Sequence, residues 1–190
     1  NKIPYEVNDS KEHNEASLEM SRKSLVLLKN NGILPLKKEN IKTIGVIGPN
    51  ANNIGALVGN YFGTASRYTT NLMGIQDMAW QEGIRVLYSE GCHLFSDRTS
   101  NLAWANDRLA EAVTVAEKSD VVILCLGLDA TVEGEEGDTG NSFAAGDKVS
   151  LEFPQSQQIL LKAVIETGKP VILVNNTGSA MDLRFADKHC

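Results

Sequence analysis

The chain has 190 residues, 42% of them hydrophobic, which is enough for one buried core in a single domain with a terminal extension. A formal net charge of −6, with 18 Lys and Arg spread along the chain and no basic run, argues against nucleic acid or anionic lipid as a partner. Cys92, Cys125 and Cys190 are odd in number and lack the close spacing of a metal site or disulfide framework. A reducing, cytoplasmic compartment is therefore expected, and no signal peptide or membrane-length apolar stretch speaks against it.

The opening, Asn1 to about Glu12, is polar and reads as a tether. From Glu15 onward, Ala16, Leu18, Met20 and Val26 to Leu28 suggest a helix ending near Asn30, with Asn30-Asn-Gly32 as its stop. Ile33 to Leu36 then makes an apolar turn. Thr43 to Ile47, Val121 to Leu126 and Val171 to Val174 have the continuous apolar character of buried parallel strands, and Arg85 to Tyr88 is a shorter fourth. Helical periods fill the intervals at Asn71 to Trp80, about Asn106 to Glu117, and Pro154 to Glu166, where proline suits a first helical position. This alternation predicts an α/β fold: a mostly parallel open sheet with helices on both faces, a flavodoxin-like three-layer α/β sandwich. The expected division is a linker and helix over residues 1–36 and the sandwich over 37–190. Asp182 to Cys190 reads as a helix whose following strand is missing, so both ends look cut.

The most informative stretch follows the most apolar strand. Gly127 to Asp138 carries Asp129, Glu133, Glu135, Glu136 and Asp138, and no regular structure is expected to resume before about Pro154. Long loops inside compact domains are uncommon and usually functional or disordered. This one leaves the C-terminal end of a strand, where open α/β sheets place their ligands. Nucleotide chemistry fits poorly, because Gly45-Val-Ile-Gly48 lacks the spacing of a dinucleotide fingerprint and no phosphate-binding loop motif occurs. The carboxylates do not follow a calcium-loop order, the three histidines are scattered, and no serine elbow follows a strand. No metal or cofactor is expected. General acid chemistry remains, against the plainer alternative of a solvated acidic loop. A carboxyl crowded by like charges resists ionisation, which suits a proton donor near neutral pH, and Glu133, Glu136 and Asp138 would crowd Glu135 in this way.

Several ordered segments resemble the second domain of glycoside hydrolase family 3, the β-glucosidase and β-xylosidase family. Ser24-Leu-Val-Leu-Leu-Lys-Asn-Asn-Gly-Ile-Leu-Pro-Leu36 is similar to the stretch joining that family's N-terminal barrel to its sandwich. Lys42 to Asn50 resembles the first sandwich strand, and Gly59-Asn-Tyr-Phe-Gly63 resembles a turn of the xylosidase-like branch. Gly127-Leu-Asp129, Glu133-Gly-Glu-Glu136, the start of the helix at Pro154 and Val171 to Asn175 follow in order. The resemblance implies a retaining β-glycosidase in which this chain carries the acid/base glutamate and a missing barrel carries the nucleophilic aspartate. A Gly-Glu pair, two residues and then Asp fits Gly134-Glu135-Glu136-Gly137-Asp138, so the acid/base role falls on Glu135, with Glu133 and Glu136 as alternates. Many relatives place Arg directly after the Asp. Here Thr139-Gly140 follows, and the later Gly146-Asp-Lys148 offers a stand-in.

The implied partners are a β-linked xylo- or gluco-oligosaccharide or aryl glycoside and the N-terminal barrel, with Asn60, Tyr61 and His93 as substrate-binding rim candidates. Gly59-Asn60-Tyr61 favours xylosides, with glucosides next. The rival of another class is a non-catalytic carbohydrate-binding or interaction module of the same fold. A generic flavodoxin-like ligand domain ranks behind both.

Overall fold

The computed structural model describes residues 2–135 and 146–190. The chain divides into two compact units, residues 1–36 with 64–67, and residues 37–63 with 68–190.

In the first unit, helix α1 (Lys11–Ser24) is capped by Ser10, whose side chain accepts from the His13 amide. It buries no residue. The helix stops six residues before the expected Asn30. Ser21 Oγ donates to the Ser17 carbonyl at 2.9 Å and Ser24 Oγ to the Ser21 carbonyl at 2.8 Å, so hydroxyls satisfy acceptors of the last turns. No packed face rewards further helix, and Leu25 turns extended. Asn30-Asn-Gly32 builds its own turn instead: Asn30 Oδ1 accepts from the Gly32 and Leu34 amides at 3.0 and 3.1 Å.

The second unit holds a four-stranded, all-parallel sheet in the order β2-β1-β3-β4. Its elements run β1 (Thr43–Ile47), α2 (Asn71–Gln81), β2 (Arg85–Ser89), α3 (Leu109–Glu117), β3 (Val121–Gly127), α4 (Gln155–Glu166), β4 (Val171–Asn176) and α5 (Arg184–His189). The expected α/β class is the one observed. Val122, Leu124 and Leu126 of β3 join Ile47 in one core cluster with Ala112 and Ala116 of α3 and Leu160, Leu161 and Val164 of α4. The alternate residues Val121 and Cys125, with Ile44 and Val46 of β1, face the other side, where α2 buries Leu72 and Ala79.

In the second unit α2, β2 and β3 each run one residue past their expected ends, and three further boundaries differ for local reasons. Helix α3 begins at Leu109 because Asn106 sits in the left-handed region at φ 57°, with its amide on the Asp97 carbonyl at 2.9 Å. Pro154 lies just outside α4, extended at φ −48° and ψ 146°, and its carbonyl accepts from the Gln157 and Gln158 amides. Strand β4 continues through Asn175 and Asn176, which pair with Leu126 and Gly127. Among the described residues no helix is long and apolar enough to cross a membrane.

Candidate active site at the carboxyl edge of the sheet

The loops that could carry chemistry leave the sheet through tight glycine exits. Gly48 and Gly127 have φ of 120° and 148°. A Cβ would stand 2.1 Å from the Cys125 carbonyl oxygen at the first and 1.8 Å from that of Asn176 at the second. Only glycine lets the backbones approach this closely. Gln157 then ties three elements together from a fully buried position. Its Oε1 accepts from the Gly127 amide at 2.9 Å, and its Nε2 donates to the Leu94 and Gly127 carbonyls, each at 2.7 Å. The signal for it was present in the sequence: Gln157 stands in helical phase with Leu160, Leu161 and Val164, a polar residue on an apolar face.

Between these exits lies a cleft of about 530 Å³ lined by Asn52 and Asn53 after β1, Tyr88 and His93 at and after β2, and Asp129 and Thr131 after β3. His93 Nδ1 accepts from the Phe95 and Ser96 amides at 3.2 and 3.0 Å, so a neutral ring carries its proton on Nε2. Phe95 packs edge-on against the imidazole with ring centroids 4.7 Å apart. The Tyr88 phenol is held above its ordinary value, first by burial and then by the nearby Glu90 carboxylate, and so remains a donor. Of the three rim candidates, His93 lines this cleft. Asn60 and Tyr61 sit on an exposed loop outside its lining, Tyr61 in the left-handed region at φ 55° and 89% exposed.

The acidic residues take different places along the loop. Asp129 is fully committed: one carboxylate oxygen accepts from Asn53 Nδ2 at 3.0 Å, and the other from the Thr131 amide and hydroxyl at 2.9 and 2.5 Å. Its carbonyl accepts from the Val132 and Glu133 amides, which makes it the anchor of the first turn of the loop. Glu133 is half-buried and accepts from Ser179 Oγ at 2.6 Å, while Ser179 in turn accepts from Lys148 Nζ at 2.6 Å. Glu135 is exposed. Glu136 and Asp138 lie outside the described residues. Ser179 gave no signal in the sequence, because a serine in a Thr-Gly-Ser loop is ordinary turn chemistry and its partners are more than thirty residues away. Among the described residues no group of three or more His, Cys, Asp or Glu is arranged to hold a metal. The Cys92 and Cys125 thiols are pushed up to about 12 by burial, which keeps them protonated and unreactive.

A parallel α/β sheet with a polar cleft and a braced acidic loop at its carboxyl edge defines a class of ligand-handling α/β domains. Within that class the family is specific, for residues 25–190 match the glycosyl hydrolase family 3 C-terminal domain, and the chain belongs to that family. It is similar to beta-D-xylosidase 3 of Arabidopsis thaliana, 35% identical over 92% of this chain and 20% of the relative, and to a beta-xylosidase of Formosa agariphila, 32% identical over 92% and 23%. Among solved structures it resembles a β-glucosidase from Erythrobacter marinus with a TM-score of 0.82, 30% identity, and coverage of 97% of this chain and 26% of that one. It also resembles a family 3 exo-β-xylosidase in complex with a xylobiose aziridine activity-based probe, with a TM-score of 0.78, 31% identity, and coverage of 94% and 20%. The chain spans about a fifth of the length of the curated relatives it matches.

Proposed function

We propose that this chain supplies the general acid/base half of a retaining, exo-acting β-glycosidase, with β-xylosides as first substrate and β-glucosides second. Glu135 is the proton donor in this reading. The observation that carries it is placement: Asp129 anchors the first turn of the loop at the carboxyl edge of the sheet, Ser179 holds Glu133, and Glu135 follows two residues on as an exposed residue. The names of the similar xylosidases support the substrate class. In the first step Glu135 protonates the leaving glycosidic oxygen while an aspartate of the barrel domain attacks the anomeric carbon. In the second, the Glu135 carboxylate takes a proton from water as that water opens the glycosyl ester.

The test uses the enzyme that contains this chain and compares aryl with alkyl β-xylosides. Glu135→Ala is expected to lower kcat/KM on methyl β-xyloside by roughly 10²- to 10⁴-fold, and that on the 2,4-dinitrophenyl xyloside far less, since an activated leaving group needs little protonation. Azide, which needs no general base, should accelerate the variant and give a β-glycosyl azide. Equal losses on both substrates would assign the proton to another group.

A second reading, a non-catalytic carbohydrate-binding module, is favoured by one feature. The cleft sets the Tyr88 and Phe95 rings beside the polar groups of His93 and Asn52, the mix that sugar binding uses. Saturable binding of xylose or glucose by the chain alone would support it.

A further inference from the structure

The two ends of the acidic stretch, Glu133–Gly134 and Gly146–Lys148, are held together and to the loop that follows β4. The Gly134 amide donates to the Gly146 carbonyl at 2.6 Å. One step further out, Lys148 Nζ donates to Ser179 Oγ at 2.6 Å, and Ser179 Oγ donates its own proton to Glu133 Oε2 at 2.6 Å. The same ammonium reaches the Ala180 carbonyl, and Met181 Sδ at 3.6 Å. Ser179 is itself fixed, its amide on Thr177 Oγ1 at 3.2 Å and its carbonyl accepting from that hydroxyl at 3.1 Å. Cation, hydroxyl and carboxylate therefore form one directed chain. Each link is charge-assisted at one end, and such links are shorter and stronger than neutral hydrogen bonds.

We propose that Lys148 and Ser179 are positioning residues for the acid/base: they clamp Glu133 and the neck of the loop so that Glu135, two residues on, is presented at a fixed height above the sheet. The proposal rests on the Glu135 reading given above. Neither residue touches substrate or the reacting atoms. The clamp acts through the backbone between Glu133 and Glu135: the bonded Glu133 carboxylate and the Gly134 amide on the Gly146 carbonyl together restrain a step that glycine would otherwise leave loose.

The experiment compares Ser179→Ala, Lys148→Met and Glu135→Ala in the enzyme that contains this chain, on methyl and 2,4-dinitrophenyl β-xylosides, with melting temperatures as control. Ser179→Ala and Lys148→Met are each expected to lose roughly tenfold in kcat/KM on the methyl xyloside and less than about twofold on the activated one, since misplacing a proton donor matters only where a proton is needed. The double variant should lose no more than either single one, as members of one unit do. Ser179→Thr, which keeps the hydroxyl, should retain the wild-type ratio between substrates. Should Ser179→Ala fail to fold, Lys148→Gln carries the same expectation. If Glu135→Ala discriminates between the substrates and neither clamp variant does, the clamp is refuted while the acid assignment stands. If Glu135→Ala itself loses equally on both, the acid assignment falls and the clamp with it.

Discussion

Asp120 shows at a single residue how the sheet's other end is fastened. Its carboxylate oxygen accepts from the Lys42 and Thr43 amides at 2.7 and 2.9 Å as the chain enters β1, and those two bonds, Lys42 first, hold the acid below its ordinary value of 3.8. Because the folded value lies below the unfolded one, the stabilisation is complete above the unfolded value and is lost as pH falls through the folded one. Asp120→Asn is therefore expected to lower the melting temperature near pH 7, with the gap to wild type closing as pH drops below about 4. A gap that stayed constant across a melting series from pH 7 to 3 would show that the charge plays no part. The cysteines make a second residue-scale test. Cys92 and Cys125 are buried with thiols near 12, so iodoacetamide at pH 8 should leave both unlabelled in the folded protein and modify both after denaturation, as read by peptide mass mapping. Residue identity was legible where chemistry is local, as in the run Val121 to Leu126. It was not legible where a partner comes from far along the chain: nothing near Ser179 announces Glu133, and nothing near Asp129 announces Asn53.

At the scale of elements, the strands were readable because burial on both faces leaves a continuous apolar run, and the helices because α4 repeats its apolar face at helical spacing. Their ends were less so. Asn175 and Asn176 extend β4 although asparagine is depleted in strands, since ladder bonds to β3 and a bond from Asn71 Nδ2 to Asn176 Oδ1 at 3.1 Å hold them there. The start of α3 was hidden by the left-handed Asn106, and the end of α1 by serine hydroxyls that close its last turns. The exit of β3 gives the sharpest test at this scale. Gly127→Ala places a methyl group 1.8 Å from the Asn176 carbonyl oxygen, in backbone that cannot yield without parting β3 from β4. A loss of about 3 kcal/mol or more is expected in urea unfolding, against about 1 to 2 kcal/mol for Thr70→Ala, which removes the cap on the Met73 amide and the bond from the Thr70 hydroxyl to Asn52 Oδ1 at 2.9 Å. Similar small losses for both would mean that the β3–β4 register relaxes more easily than the geometry allows.

For the molecule as a whole, what the described carboxylates are engaged in bears on what this chain does unaided. Retaining hydrolysis needs two carboxyl groups roughly 5 Å apart on opposite sides of the scissile bond, one of them an unencumbered nucleophile. Among the described residues, Asp129 and Glu90 line the cleft, the first held by Asn53 and Thr131 and the second facing the Arg108 guanidinium at 3.3 Å, and Glu133 of the same loop is held by Ser179. Each is engaged in holding a loop or an ion pair, and withdrawing any of them for attack on an anomeric carbon would leave its donors unpaired. One acid/base carboxylate cannot by itself run both halves of a double displacement. The purified chain is accordingly expected to release no nitrophenolate from 4-nitrophenyl β-xyloside above the buffer rate, while a parent enzyme carrying the proposed barrel is expected to turn the same substrate over. Turnover by the chain alone that disappears in Glu135→Ala would place a nucleophile within these 190 residues and overturn the proposed division of the active site between two domains.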